Sequence, residues 1–306
     1  MPPTPSAPAA DYPSRINRAI DHVVAHLHGP LRLEDVAAAA HLSPFHFHRL
    51  FKACLGETLA QFVKRQRLER SLYLLSHAPG QSLTDVALQC GFSSSSDFSR
   101  SFKQHYGAPP SAFDLEALRE SRREEFERVM REQQAGSPHT WFLPPGENPD
   151  GFEVRLRDLP ARTVAYIRVL DPYQPGLVKA ACERLVAWAD ARGFGGGQWL
   201  GYMWEEPEIV AMKDCRYDAA VVVDDAFQPE GEVGRFSFPP MRVAEVVVKG
   251  DLALEARAID WLYRTWLPGS GHVPDDQPAF EAWIGRPYAH GDAYFELACQ
   301  LPVKRA

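Results

Sequence analysis

The apolar positions of the first hundred residues have helical spacing, and their pattern occurs twice, in residues 33–56 and again in residues 83–107. Each copy contains LxDVA, then FxRxFK and, four residues after the lysine, a glycine. The offset between the copies grows from 50 to 51 residues between the two motifs. Each copy therefore predicts a short helix, a tight turn and a second helix that ends at the glycine.

Local signals support these helix boundaries. Ser43 followed by Pro44 is typical of a helix N-cap with proline at the first helical position. Amphipathic segments at 16–27 and 59–76 predict a supporting helix and a helix that links the copies. We therefore expect an all-helical domain over residues 14–114, behind a disordered leader over residues 1–13.

The second helix of each copy also has a repeated polar face. Its positions are Phe45, His48, Arg49 and Lys52 in the first copy and Ser96, Ser99, Arg100 and Lys103 in the second. Arginine can bind guanine bidentately, serine can read either base edge, and lysine neutralises phosphate. One such helix could equally be the solvated face of a helical bundle, but the duplication favours binding to double-stranded DNA in successive major grooves.

The pattern changes after residue 112. Residues 112–134 predict a charged helix with opposite charges four residues apart, such as Arg123 and Glu127. Residues 135–151 are rich in Gly, Pro and Ser, so the sequence predicts a helical spacer and linker over 115–151.

From residue 152 onward, alternating and β-branched segments predict strands. The predicted order is strand, helix, strand, strand, and it occurs twice before residue 306. Such a duplication predicts an α+β domain whose halves pair around a pseudo-two-fold axis, with a ligand groove along that axis.

Charge differs between these two parts. Residues 1–114 contain 11 Lys and Arg against 9 Asp and Glu, whereas the remainder contains 22 against 31. A weakly basic segment joined to an acidic one suits a nucleic-acid reader attached to a domain that does not bind DNA.

Other chemistry finds little support in the sequence. The five cysteines have no CxxC spacing, and the histidine pairs His22/His26 and His46/His48 lack further ligands, so we expect no metal site and no cofactor. No apolar run reaches the ~20 residues of a membrane span, and the N-terminus does not resemble a signal peptide. We therefore expect a cytoplasmic protein that is not an enzyme.

The helical repeat closely resembles the AraC/XylS DNA-binding domain, above all in GFSSSSDFSRSFKQHYGAPPSAF. The resemblance covers about residues 14–114 and implies seven helices with two helix-turn-helix units. It also implies a transcription regulator, for which RNA polymerase is a candidate partner. The base contacts that it implies are Phe45, His48 and Arg49 in the first unit and Ser95, Ser96 and Arg100 in the second.

The C-terminal half, about residues 152–304, resembles the GyrI-like effector-binding domain of Rob-type regulators. The segments that carry this likeness are GYMWEEPEI, CRYDAAVVV, WLYRTWLPGSG and FEAWIGRP. By position, Glu281 matches an acidic residue that meets cationic ligands, and aromatic walls are expected from Tyr202, Trp204, Trp283 and Tyr288. The implied ligand is a lipophilic cation or another small aromatic molecule, bound by charge and cation–π attraction.

Two alternatives remain for this half. Some GyrI-like domains resemble hydrolases, in which Glu281 and a nearby tyrosine would activate water. The domain could also bind a protein partner such as gyrase or RNA polymerase.

Overall fold

The computed structural model describes residues 12–77, 80–133 and 140–306, which form two compact units. The first unit extends to Glu116 and includes the short segment Pro229–Gly234. The second comprises Ala117–Gln228 and Arg235–Ala306. Residues 1–11 of the predicted leader and 135–139 of the predicted linker lie outside the described residues.

The described part of the first unit contains six α-helices and one 3-10 turn, arranged as two helix-turn-helix units. The elements are α1 Tyr12–Ala25, α2 Leu33–Ala39, α3 Pro44–Leu55, α4 Leu59–His77, α5 Leu83–Gln89, α6 Ser95–Tyr106 and the turn Pro110–Ala112. Helices α2 and α3 form the first helix-turn-helix and α5 and α6 the second. The fold predicted from the repeat is therefore confirmed.

The predicted helix ends are also confirmed. Ser43 is the N-cap of α3, and its side chain accepts a hydrogen bond from the backbone N–H of His46. Gly56 and Gly107 end α3 and α6 with φ of 73° and 84°, values that favour glycine because a side chain is strained there. The two second helices are thus begun and ended by local signals.

The described part of the second unit consists of an antiparallel sheet and several helices. Its strands are β1 Arg155–Leu159, β2 Arg162–Leu170, β3 Trp199–Met203, β4 Arg216–Val223, β5 Gly234–Phe238, β6 Met241–Gly250, β7 His272–Pro274, β8 Ala279–Trp283 and β9 Phe295–Arg305. Its helices are α7 Leu115–Gln133, α8 Leu177–Arg192 and α9 Leu252–Trp261, the last continued by a π-helical segment Leu262–Trp266 and a final α-helical turn Leu267–Gly269. The strand order is β1-β6-β9-β8-β3-β4-β2-β5, and β7 pairs with β9.

The predicted duplication is visible in this order. The half β2-α8-β3-β4 corresponds to β6-α9-β8-β9, and the halves meet where β3 pairs with β8. Each half is preceded along the chain by one further strand, which joins the other half in the sheet. The leading strand β1 precedes β2 but pairs with β6, and the leading strand β5 precedes β6 but lies beside β2. Prolines separate each leading strand from the next, Pro160 in one half and Pro239–Pro240 in the other, because proline cannot donate to a β ladder.

The two faces of the sheet are buried differently. Helices α8 and α9 pack on one face, where they contact β2, β4, β6 and β9. The other face carries a second apolar core drawn from β2, β3, β4, β5, β6 and β8. Strands far apart in the sheet order share this core, so the sheet must be strongly curved. Its buried members are Val164, Tyr166, Leu200, Tyr202, Ala220, Phe238, Met241, Val243 and Phe280.

Helix α7 packs within the second unit. Phe126 and Met130 lie in a buried cluster with Trp141, Met212 and Ala253, and the Phe126 and Trp141 ring centroids are 5.7 Å apart. The segment expected to be a helical spacer between the domains therefore contributes to the core of this unit.

The predicted pairing of opposite charges four residues apart is present in α7, between Arg128 and Glu132 and between Glu127 and Arg131, but the pair predicted for Arg123 was wrong. Instead of pairing with Glu127, the Arg123 guanidinium donates to Glu208 at 2.9 Å and to Asp260 of α9 at 2.8 Å. Burial and the nearby Glu208 raise the pKa of Asp260 to about 8. The spacing of charges along α7 could not reveal these partners, which lie more than 80 residues away in sequence.

If α7 is part of this core, Phe126→Ala should destabilise the second unit by about 3–5 kcal/mol, the usual cost of truncating a buried phenylalanine. All seven tryptophans lie in the second unit, so tryptophan fluorescence during urea unfolding reports on this unit alone. Arg128→Ala, an exposed change on the same helix, should have little effect. Equal urea midpoints for Phe126→Ala and the unchanged protein would show that α7 does not contribute to the stability of the second unit.

Candidate nucleic-acid interface and ligand chamber

The predicted DNA-contacting residues of the first helix-turn-helix lie on one exposed face of α3. Phe45 is 68% exposed, and His48, Arg49 and Lys52 are exposed beside it. The opposite face of α3 carries Phe47, which is completely buried. Hydrophobic burial therefore orients the helix with its cationic face toward solvent.

Helix α6 repeats this arrangement. Ser96, Arg100 and Lys103 are exposed, whereas Ser95 and Ser99 are half-buried. Phe98 and Phe102 anchor the other side of the helix and are completely buried. All nine predicted residues thus lie on α3 or α6, the two reader helices, and their base contacts stay a prediction.

The predicted ligand residue Glu281 lies at the centre of the second unit. It is on β8, is 6% exposed, and accepts a hydrogen bond from the Tyr217 hydroxyl at 2.8 Å. In the sheet it pairs directly with Gly201 of β3, at the boundary between the two halves. The absence of a side chain at Gly201 leaves the space that the Tyr217 hydroxyl and the Glu281 carboxylate occupy, because a Cβ there would lie 2.0 Å from the hydroxyl oxygen.

A second carboxyl, which sequence reasoning missed, faces Glu281. Glu255 of α9 is also 6% exposed, and the two carboxyls lie close enough together to shift each other's pKa. Burial raises the pKa of both carboxyls, and the charge of Glu281 raises that of Glu255 further. The available signal was its position: Glu255 lies three residues before Ala258 and seven before Leu262, on the apolar stripe of its helix.

The groups around these carboxyls are neutral at pH 7. Burial raises the pKa of Tyr217 and Cys299 well above their ordinary values and raises that of Cys182 to about 12. We call the region bounded by Glu255, Glu281, Tyr217, Cys182 and Cys299 the ligand chamber. Among the described residues, no Lys, Arg or His forms an ion pair with either carboxyl.

The sheet separates the predicted aromatic residues into two groups. Trp283 and Tyr288 lie on the chamber side, with ring centroids 5.4 Å apart, and Trp283 lowers the pKa of Glu281. Tyr202 points to the opposite face, because it follows Gly201 and side chains alternate along a strand. There it stacks on Phe238 with centroids 4.3 Å apart.

Trp204 lies with Tyr202 and apart from Glu281. Its indole N–H donates to Asp218 at 2.7 Å, and the Arg168 guanidinium binds the same carboxylate at 2.8 and 2.7 Å. Trp204 is therefore part of a buried ion-pair network rather than of the chamber wall.

A cavity of about 520 Å³ adjoins the chamber, between α8 and residues 287–292. Cys182 and Tyr288 line it, and both lie close enough to Glu281 for its charge to raise their pKa values. Two ion pairs connect its walls: Lys179 lies 2.7 Å from Asp292, and Arg286 lies 2.6 Å from Asp190. Cys182 is therefore common to the cavity and the chamber.

Two other properties bear on function. No helix of the described residues is long and apolar enough to cross a membrane. Within the same residues, no three His, Cys, Asp or Glu side chains come together as a metal site would require.

The fold and the two sites define a protein with a double helix-turn-helix unit and an α+β ligand-binding unit. A helix-turn-helix domain model matches residues 36–115, and the model of the GyrI-like small molecule binding domain matches residues 152–304, half of the chain. The chain belongs to the family of AraC-type helix-turn-helix proteins that carry a C-terminal GyrI-like domain.

Individual relatives match one part of the chain or the other. The regulatory protein PocR of Salmonella typhimurium is 39% identical over 100 residues, which are 33% of this chain and 33% of PocR, so the chain spans a third of PocR. A DNA gyrase inhibitor of Serratia proteamaculans is 29% identical over 163 residues, or 50% of this chain and 98% of the inhibitor. The crystal structure of an AraC-type transcriptional regulator from Chromobacterium violaceum is 30% identical, with a TM-score of 0.30, and covers 32% of this chain and 86% of that one.

Gly201→Ala tests the packing of the chamber. The new Cβ would lie 2.5 Å from the nearer Glu281 carboxylate oxygen, so we expect a loss of stability of about 1–3 kcal/mol, as for other overpacked cores. Urea unfolding followed by tryptophan fluorescence measures it. Gly196→Ala, where an added Cβ meets nothing within 4 Å, is the matched control. If both variants unfold at the same urea concentration, the packing of Tyr217 and Glu281 against Gly201 does not require glycine at this position.

Proposed function

We propose that this chain is a transcription regulator that binds DNA through α3 and α6 and senses a small molecule in the ligand chamber. The observation that carries the proposal is the repeated face of the reader helices, which places an exposed arginine and an exposed lysine at the same positions of two duplicated helices. The helix-turn-helix match supports DNA binding, and the GyrI-like match supports a small-molecule ligand.

Arginine and lysine have different roles in this proposal. The guanidinium groups of Arg49 and Arg100 can each donate two N–H bonds to guanine in the major groove, which gives sequence preference. Lys52 and Lys103 follow three residues later and neutralise backbone phosphates, which gives affinity without preference. The remaining contacts proposed for the reader helices are those of Phe45, His48, Ser95, Ser96 and Ser99.

The proposed effector is an organic cation with aromatic or lipophilic groups. Glu281 supplies negative charge at the chamber, and Trp283 and Tyr288 supply rings that attract a cation. Tyr202 and Trp204 lie on the other face of the sheet and are not part of the proposed binding set. A buried carboxylate without a basic partner is costly unless a ligand compensates it, and this cost supports the assignment.

Binding of a protein partner is a second candidate, favoured by the likeness to a DNA gyrase inhibitor along nearly that protein's whole length. A protein partner needs an exposed surface, whereas Glu281 and Glu255 are buried beside a cavity of small-molecule size. Small-molecule sensing therefore explains more of the structure. Contact with RNA polymerase and a cytoplasmic location depend on the regulatory function proposed here.

The DNA-binding proposal is tested with Arg100→Ala and Lys103→Ala. On a site selected from random duplexes, Arg100→Ala should weaken binding by ~1–3 kcal/mol and relax preference at one base pair, because it removes a base contact. Lys103→Ala should weaken all sequences alike and lower the salt dependence by about one phosphate contact. Fluorescence anisotropy over a range of salt concentrations measures both.

The control for this experiment is Arg128→Ala, which removes an exposed arginine from α7 and should leave DNA affinity unchanged. Uniform weakening in both Arg100→Ala and Lys103→Ala would contradict the division between base and phosphate contacts.

The effector proposal is tested with tetraphenylphosphonium, an aromatic cation with a fixed charge. Glu281→Gln should weaken its binding at least about tenfold, or ~1.4 kcal/mol, because the buried negative charge is lost. Isothermal titration calorimetry measures the affinity. Glu245→Gln is the control, since Glu245 is equally buried but pairs with Arg157 at 2.7 Å. Unchanged affinity in Glu281→Gln would rule out the charge role of this residue.

A further inference from the structure

The chamber contains two buried carboxyls and no basic partner for either. Glu255 comes from α9 and Glu281 from β8, each is 6% exposed, and the charge of Glu281 lies close enough to raise the pKa of Glu255. Two carboxylates in contact cannot both ionise in a region that excludes water, because their repulsion adds to the cost of desolvation. One of the two carboxyls must therefore hold a proton.

The groups that face the pair do not supply positive charge. They come from every element packed around it: Tyr217 from β4, Cys182 from α8, Cys299 from β9, and Tyr173 and Tyr288 from loops. Burial raises the pKa of each of these groups, so all five are neutral at pH 7. Among the described residues, no positively charged side chain therefore competes with a proton for the two carboxyls.

The hydrogen bonds of the described residues indicate which carboxyl holds the proton. The Tyr217 hydroxyl donates to Glu281 at 2.8 Å, and such a bond stabilises the ionised form of a carboxyl. No described side chain donates to the Glu255 carboxyl, so the proton lies on Glu255. The chamber is thus arranged as a neutral acid beside a carboxylate.

We infer that Glu255 holds a proton in the ligand-free chamber. We also infer that the protonation state of Glu255 determines whether the chamber compensates a ligand with one positive charge or with two. A ligand with one positive charge pairs with the Glu281 carboxylate while the proton stays on Glu255. A ligand with two positive charges is fully compensated only when Glu255 releases its proton to solvent and becomes a second carboxylate. The choice of cations as ligands rests on the proposed function, whereas the proton on Glu255 does not.

The two ligand classes should respond differently to pH. Binding of a monocation should be nearly independent of pH around neutrality. Binding of a dication should strengthen by about tenfold for each pH unit, as long as the pH is below the raised pKa of Glu255, because one proton leaves for each ligand bound. Above that pKa the dependence should level off.

The proton can be tested without any ligand. Infrared difference spectra of the full chain at pH 7, unchanged protein minus Glu255→Gln, should contain the carbonyl stretch of one protonated carboxyl. Asp260, whose pKa is raised to about 8, also contributes such a band, but it cancels because both proteins retain it. The difference spectrum with Glu245→Gln should contain no such band. A featureless difference for Glu255→Gln overturns the inference, whatever binds in the chamber.

Calorimetry then tests the selection by charge. The probes are tetraphenylphosphonium, with one fixed charge, and N,N′-dimethyl-4,4′-bipyridinium, with two; neither has a proton to release. Titrations in two buffers of different ionisation enthalpy give the number of protons released. We expect about one for the dication and about none for the monocation, with the dication value falling to none in Glu255→Gln.

The outcomes separate the inference from the proposed function. Dication binding without proton release, or release that persists in Glu255→Gln, overturns the inference even though the chamber binds cations. If the infrared band is present but neither probe binds, the proton assignment stands, and both cation sensing and the charge selection built on it are overturned.

Discussion

The hydrogen bond from Tyr217 to Glu281 defines the centre of the second unit. It joins β4 to β8 across β3, and it can form only because β3 presents Gly201 between them. The same position is where the two halves of the duplication meet, since β3 pairs with β8 there. Helices α8 and α9 belong one to each half, and each brings a side chain, Cys182 or Glu255, to this point. The duplication therefore creates the chamber, and neither half contains it alone.

Helix α7 is connected to the same centre by two routes. Tyr173 packs its ring against Phe126, with centroids 5.5 Å apart, and the charges of Glu281 and Glu255 raise the pKa of its hydroxyl. Helix α9 carries Glu255 in the chamber and, five residues later, Asp260, which binds Arg123 of α7. A helix moves as a rigid element over so short a distance, so a displacement of Glu255 also displaces the partner of Arg123.

The sequence predicted those features that depend on local chemistry or on repetition. The double helix-turn-helix followed from the repeated motifs, the N-cap at Ser43 and the glycine at 56, all of which act within a few residues. The α+β duplication followed from the order of apolar segments. The exchange of β1 and β5 could not be predicted, because each strand pairs with a half that is distant along the chain.

The residues of the chamber were partly predictable for a similar reason. Glu281 was found through resemblance. Glu255 was missed because one acidic residue on an amphipathic helix is ordinarily assigned to the solvated face. Tyr202 was grouped with Glu281 because aromatic composition carries no information about the face of a sheet. Strand alternation beginning at Gly201 would have separated them, but it requires knowing the register between β3 and β8.

Buried acids elsewhere in the second unit show what distinguishes the chamber. Asp218 is buried with two bonds from Arg168, Glu205 is bound by Arg216, and Glu245 is bound by Arg157 and Gln300. Each of these carboxylates has a positive partner, so its burial is accounted for by the fold. Glu255 and Glu281 in the chamber have no positively charged partner among the described residues. Only a proton or a bound cation can compensate their charge. A structural carboxylate is compensated by a positively charged side chain of the same protein, whereas a carboxylate that binds a cationic ligand is compensated by that ligand.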